Sequence, residues 1–267
     1  MSADDTYEVF AIRYGHMGER TRVDNFIMTD RHDDPMPIDY YIWVIRNESR
    51  TFVVDTGFDH KEAAGRGRKL LRLPREGLEM LGVDAAEVQD VIISHMHYDH
   101  AGTLDDFPAA TFHLQEKEMQ YATGRHMCHA HMGQAYSPDH VTNLVHKVFE
   151  GRVAYHDGAR DIAPGISVHL IGGHTMGVQC VRVKTNRGWV IVASDAVHFY
   201  ENMEATSPFI IAYSVGDMVD GYDKMRRLAS SNDHVIPGHD PLVMVKYPPL
   251  SEATAGEIVR LDVDPAG

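Results

Sequence analysis

The sequence predicts an α/β fold in which two packed β-sheets are flanked by helices. Three observations predict it. Short apolar or alternating runs bounded by turn-forming residues recur along the whole chain. Stretches with helical spacing are interspersed among them. Hairpin patterns occur in both halves, "YIWVIRNESRTFVVD" with polar "NESR" at its tip and "KTNRGWVIV" with "NRG" at the turn. Strands that pair locally in two separate regions, mixed with helices, are most simply accommodated as two sheets with helices covering them.

In chain order the strand candidates are "YEVFAIRY", "DYYIWVIR", "RTFVVDTG", "VQDVIISH", "ATFHLQ", "ISVHLI", "VQCVRVKT", "GWVIVASDA" and "HVIPGH". The helical candidates are "HKEAAGRGRKLLR", "PREGLEMLG", "LQEKEMQYA" and "GDMVDGYDKMRRLASS", the last beginning near Asp217. No proline- or glycine-rich linker divides the chain and no low-complexity segment occurs, so one domain over residues 1–267 is expected.

Composition narrows the function classes. A chain of 267 residues can bury a substantial core without disulfides, and its 43% hydrophobic and 24% charged content is ordinary for a soluble enzyme. The formal net charge of -14 disfavours a broad phosphate-binding surface, so nucleic acid is not an expected partner. No apolar run approaches the ~20 residues that span a bilayer. The acidic start "MSADDTYEVF" is unlike a signal peptide. Two cysteines, Cys128 and Cys180, make no disulfide framework. A cytoplasmic protein without membrane partners is the expectation, and a homodimer is compatible with it.

The run "SHMHYDHAGTL" carries the chemistry. It packs His95, His97, Asp99 and His100 into six positions directly after an apolar strand. Strand periodicity is two, so His95 and His97 point to one side, while Asp99 and His100 fall on the turn. That arrangement can feed two adjacent cations. A catalytic zinc needs about three protein ligands and an open position, so further donors are required downstream. Suitable residues follow strand-like runs: His174 in "LIGGHTMG", Asp195 in "VIVASDA" and His239 in "VIPGHD".

These blocks resemble the metallo-beta-lactamase fold superfamily. "SHMHYDH", "GGHTMG", "ASDA" and "PGHD" match its four motif blocks in order, and "FVVDTGFD" matches the strand and turn that precede them. The resemblance implies an αβ/βα four-layer sandwich with the site at one edge. It implies that His95, His97 and His174 hold one divalent metal, that Asp99, His100 and His239 hold a second, and that Asp195 bridges. Zinc is the expected metal, with manganese, iron and cobalt compatible with the same donors. Asp55 in "VVDTG" would orient the histidine-rich turn through hydrogen bonds, or else simply cap its own turn.

Local texture narrows the resemblance further. "RVDNFIMTDRHDDPMPIDYYIWVIRNESRTFVVDTGFD" and "FEGRVAYHDGARDIAPGISVHLIGGHTMGVQCVRV" resemble the N-acyl-homoserine lactonase family. The implied activity is hydrolysis of a cyclic ester: a hydroxide shared by two metals attacks the carbonyl, and Asp99 shuttles a proton to the leaving alkoxide. In that family a tyrosine three positions after the bridging Asp points at the substrate carbonyl. Here that position is His198, and Tyr200 lies two further on, so either residue is the candidate oxyanion donor. The departure leaves open another lactone, a cyclic amide or imide, or a thioester. A non-catalytic metal-binding protein is the alternative of a different class.

One histidine-rich stretch falls outside the motif. Residues 113–146 include "CHAH", whose Cys128, His129 and His131 lack the paired spacing of a structural zinc site. The expectation is a helical insertion over the site's edge. Tyr14 and Met17 are further candidates for the pocket or its rim.

Overall fold

The computed structural model describes residues 6–27 and 34–266. Among these, strands β1 (Glu8–Met17), β2 (Ile38–Arg46), β3 (Thr51–Val54), β4 (Lys69–Leu70), β5 (Asp90–Ile92), β6 (Thr111–Gln115) and β7 (Val153–His156) join one sheet with β13 (Ile258–Arg260). The order is β13-β1-β2-β3-β5-β6-β7, with β4 paired to β1. The second sheet holds β8 (Ala159–Ala163), β9 (Ile166–Leu170), β10 (Gln179–Thr185), β11 (Gly188–Ser194) and β12 (Val235–Pro237), in the order β12-β11-β10-β9-β8. Both sheets are mixed. β3, β5, β6 and β7 run parallel, as do β11 and β12, while the hairpins are antiparallel.

Side-chain alternation explains how the sheets stack. On β2, Tyr41, Trp43 and Ile45 join a core with Val168 of β9, Val181 and Val183 of β10, and Val190 and Val192 of β11. That core lies between the sheets. The intervening Tyr40, Ile42 and Val44 join a second core, completed by Ala63, Leu78, Tyr121 and Leu144 from covering helices. β2 is therefore apolar along nearly its whole length because both of its faces are covered. Cys180, Ile191 and Ala193 look the other way from the second sheet, onto Tyr222 and Met225. The result is helix, sheet, sheet, helix, the four-layer arrangement expected from the sequence.

The helices are α1 (His60–Arg66), α2 (Pro74–Glu79), α3 (Glu116–Ala122), α4 (Ala130–Gly133), α5 (Pro138–Phe149), α6 (Tyr200–Glu204), α7 (Val215–Leu228) and α8 (Leu242–Lys246). α7 buries Met218, Gly221, Tyr222 and Met225, spaced as one helical stripe, and Ser214 caps its start by accepting from the Asp217 N–H. The stretch "HKEAAGRGRKLLR" does not form one helix. It stops at Gly67, whose φ of 65° is left-handed, and the chain turns back to pair β4 with β1. The strand candidates do not include β7, β8 or β13, while most of α5 falls in the histidine-rich segment expected to be a helical insertion. β7 and β8 are edge strands with largely exposed or half-buried side chains, so they lack an apolar alternation. No helix among the described residues is long and apolar enough to cross a membrane.

Truncating Ile42, fully buried against the helices from the middle of β2, removes a side chain the surroundings cannot replace. Ile42→Ala is expected to cost about 2–5 kcal/mol. Urea denaturation with an unchanged m-value checks it.

Candidate metal centre

The strand ends β3, β5, β11 and β12 and the β9–β10 connection bring their following residues to one rim. His95, His97, His174 and Asp195 offer ligand atoms within 4.8 Å of one another, and so do Asp99, His100 and His239. All seven are buried. Asp195 stands between the two groups. Its Oδ2 lies 3.4 Å from His174 Nε2 and 3.8 Å from His95 Nε2. Its Oδ1 lies 3.1 Å from His239 Nε2 and 3.3 Å from His100 Nε2. Asp99 Oδ2 sits 3.6 Å from His100 Nε2 and 3.7 Å from His239 Nε2.

Hydrogen bonds behind the imidazoles determine what their inner nitrogens present. His174 Nδ1 lies 2.7 Å from the Ile211 carbonyl and His239 Nδ1 lies 2.7 Å from the Asp39 carbonyl. A carbonyl only accepts, so in both rings Nδ1 carries the hydrogen and Nε2 of the neutral ring presents a lone pair. His100 Nδ1 faces the Asp55 carboxylate at 2.7 Å in the same way. These lone pairs converge: His174 Nε2 is 3.2 Å from His95 Nε2 and 2.9 Å from His97 Nδ1. His100 Nε2 and Asp195 Oδ1 are buried with no hydrogen-bond partner. Converging lone pairs and a buried, unpartnered carboxylate oxygen are costly by themselves and fit divalent cations as their common partner.

The electrostatics agree. Burial, reinforced by the neighbouring rings, holds His95 and His97 well below the usual histidine range, which is the neutral, ligating form. Burial also lowers His174. For His100 and His239 burial works in the same direction, but the surrounding carboxylates outweigh it and raise both. Around Asp195 positive charge is therefore favoured. Burial alone would raise the Asp195 carboxyl, yet His239, His100 and His198 bring it well below the usual range.

Local geometry explains why these side chains meet. Asp55 follows β3 with a φ of 63° and receives the Ser94 N–H (2.7 Å), the Ser94 hydroxyl (2.8 Å) and His100 Nδ1. It thus orients the histidine-rich turn through hydrogen bonds. Gly173 precedes His174 with a φ of 94°, and a Cβ there would meet the Met218 backbone N at 2.6 Å. Glu118, on α3, ties the turn to the His174 loop. Its carboxylate receives Met96 N–H (2.9 Å), Tyr136 Oη (3.0 Å), Thr175 Oγ1 (2.5 Å) and Gly177 N–H (3.1 Å). Burial raises Glu118 even against these hydrogen bonds.

His198 and Tyr200 part company here. His198 Nε2 lies 3.0 Å from Asp195 Oδ2, its ring stacks on Phe209 at 3.5 Å, and it lines the cavity over the site. Tyr200 begins α6, packs against the core between the sheets and sits beneath Lys246 Nζ at 3.9 Å. It does not line that cavity. The backbone turn after Asp195 is tight, with Ala196 N bonded to Ala193 O and Val197 N to Ser194 O, and this returns position 198 to the rim.

The cavity encloses about 470 Å³. Met17 lines it, whereas Tyr14 lies beneath, donating to the Asp99 carbonyl at 2.9 Å. The histidine-rich segment forms helices at the site's edge, with Gln134 and Ala135 on the wall and the Tyr136 ring 4.6 Å from that of His97. Among the described residues, Cys128, His129 and His131 join no ligand cluster. Glu118 is absent from the sequence reading, because "LQEKEMQYA" alternates charge as a solvated helix face does.

Glu118→Gln would set amide hydrogens against donors that now meet a carboxylate. Stability should fall by about 1–3 kcal/mol. Metal affinity should fall about 10- to 100-fold, as for other groups that orient ligands from behind. Denaturation and metal-competition titration read the two effects, and wild-type values in both would contradict a bracing role.

The comparisons with known proteins agree with this geometry. Residues 37–245 match the family model described as the metallo-beta-lactamase superfamily. The N-acyl homoserine lactonase AttM of Agrobacterium fabrum is 29% identical over 178 residues, which span 61% of this chain and 62% of that relative's length. An N-acyl homoserine lactonase of Bacillus cereus is 26% identical over 63% of this chain and 68% of its own. A solved quorum-quenching N-acyl homoserine lactone lactonase superposes with a TM-score of 0.71 at 20% identity, covering 87% of this chain and 92% of that one. AidC, a dizinc quorum-quenching lactonase solved with a product, superposes with a TM-score of 0.68 at 15% identity, covering 88% of each. The chain belongs to the metallo-beta-lactamase superfamily.

Proposed function

We propose that this protein is a dinuclear-metal-dependent hydrolase that opens a cyclic ester. The observation that carries the reading is Asp195, which stands between the two donor groups at the floor of a cavity, with Oδ2 towards His95 and His174, Oδ1 towards His100, and His239 Nε2 within 3.2 Å of both oxygens. On this reading His95, His97 and His174 hold one cation, Asp99, His100 and His239 the other, and Asp195 is shared. Two divalent cations, zinc first and manganese, iron or cobalt on the same donors, would supply a water acidified to a pKa near ~7 and a Lewis acid for the carbonyl. The likeness to N-acyl homoserine lactonases supports a lactone as substrate.

The protein's own groups divide the remaining work. Neutral His95, His97 and His174 offer lone pairs without competing for protons. Asp99, at the cavity wall, is placed to take a proton and return it to the ring oxygen as that oxygen leaves. His198 Nε2–H meets Asp195 Oδ2 at 3.0 Å, and on this reading, once metals engage Asp195, it would turn to the carbonyl oxygen, where negative charge develops. Stacking on Phe209 fixes its plane. Burial holds His198 well below the usual histidine range, so it acts as a neutral donor. Tyr200 has no part in this chemistry.

Elemental analysis of active protein should find about two metals per chain, and chelation should abolish hydrolysis across a lactone panel, with activity restored by added metal. Asp195→Ala should lose both ions together, since it removes the shared anion between them. One metal or none in active protein would sink the dinuclear assignment.

His198→Ala should lower kcat/KM roughly ten- to a thousand-fold with metal content unchanged, in line with the loss of one oxyanion donor. Tyr200→Phe should be nearly silent. The opposite pattern would move the donor to the other residue.

A further inference from the structure

The cavity wall carries two guanidinium groups that the metal chemistry does not use. Arg20 follows β1 and Arg68 follows α1, so separate connections deliver them to one cavity. Arg68 donates Nε to Tyr98 Oη at 3.1 Å and Nη1 to the Arg66 carbonyl at 2.8 Å. Tyr98 in turn shares a hydrogen bond with Tyr40 at 2.9 Å. Arg20 donates to the Asp24 carbonyl. Neither side chain has an ion-pair partner among the described residues.

Among the described residues, the nearby charged groups are engaged elsewhere or make no direct ion pair with them. Arg66, the third arginine on the wall, is committed to the fold: it pairs with Glu62 at 2.5 Å and donates to the carbonyls of Gln134 and Tyr136. The Asp24 carboxylate is already engaged by the Thr21 N–H (2.8 Å) and hydroxyl (2.9 Å). Glu19 lies at the rim and is exposed. Burial and the charge of Arg68 both oppose the charged form of Arg20. Arg20 is therefore the half-buried cation most in need of an anion, while Tyr98, Tyr40 and Asp99 support the charge of its neighbour Arg68. A carboxylate meets that need, because a guanidinium offers paired N–H groups in the geometry a carboxylate accepts.

We propose that Arg20 and Arg68 form an anion subsite beside the metal centre, and that the substrate is a cyclic ester carrying a carboxylate of its own. This rests on the lactone-opening reading above. The ring carbonyl lies over the metal-binding floor while the carboxylate reaches the arginines. Met17, Ile38 and Ile210 on the same wall leave apolar surface for the carbon frame between them.

Paraconate, a γ-lactone with a ring carboxylate, and its methyl ester test this directly. The wild-type enzyme should favour paraconate over methyl paraconate by about tenfold or more in kcat/KM, chiefly through KM. Arg20→Met and Arg68→Met should each bring that ratio towards one, while Arg68→Lys, which keeps the charge, should retain part of it. A wild-type preference for the methyl ester, or a ratio unmoved by both Met variants, overturns the subsite. Calorimetry of the metal-loaded protein with glutarate and monomethyl glutarate tests the subsite without turnover. Glutarate should bind about tenfold tighter or better in the wild type, and the double Met variant should lose the difference. If neither lactone is opened while the glutarate preference holds, the lactone reading fails and the subsite stands. Equal binding of the two glutarates overturns the subsite itself.

Discussion

One buried carboxylate holds the rims of both sheets together. Asp55 directly follows β3 of the first sheet and collects Ser94 and His100 from the turn after β5. It also accepts the hydroxyl of Ser194 at 3.2 Å, and Ser194 ends β11 in the second sheet. Both Asp55 and Ser194 have left-handed backbone, with φ of 63° and 47°. Such conformations cost of order 1–3 kcal/mol each in non-glycine residues and persist where the surroundings over-determine them. Here the surroundings are the hydrogen bonds themselves. Remove the carboxylate, and buried donors from two sheets lose their acceptor at once.

Around that tie the donors form a rigid cup. Asp39 links β2 to the site through its backbone carbonyl, which receives His239, while its side chain is pinned by Arg13 (3.1 Å) and His16 (2.5 Å). Glu118 performs the same service on the opposite side for the turn and the His174 loop. His239 is thus fixed from behind by a residue of β2 and His100 by the residue that follows β3, while the Ile211 carbonyl in a connecting stretch holds His174. This is how a site keeps its geometry: ligands sit on short connections, but their orientation is determined by packed elements. The arrangement costs folding free energy, because carboxylates and imidazoles are gathered in a largely buried cluster.

How much of this was legible in the sequence follows from distance along the chain. The crowding of His95, His97, Asp99 and His100 is local and visible, and so are the apolar strands that deliver His174, Asp195 and His239 to a rim. Asp55 was visible through its turn motif, although its choice between capping and orienting needed the partners in space. Glu118 was not legible, because a charged residue at helical spacing reads as solvent-facing until α3 is seen lying on the two loops. The choice between His198 and Tyr200 depended on a turn of a few residues, which periodicity does not resolve. Arg20 and Arg68 stand 48 positions apart, and nothing local marks them as neighbours. Edge strands such as β8 escaped for the opposite reason, as solvent on one side removes the alternation that identifies a strand.

The division between floor and wall has a consequence for how such a protein can change. The floor is made by strand-end residues whose partners lie in both sheets, so one altered position disturbs several elements. The wall is made by the β1–β2 connection, the α1–β4 turn, the segment around Gln134 and the stretch around Ile210. Among the described residues, none of these supplies a residue to the ligand clusters. Substitutions there can reshape what enters the cavity while the reactive centre keeps its geometry, so the recognition and the chemistry of this molecule are separable inheritances.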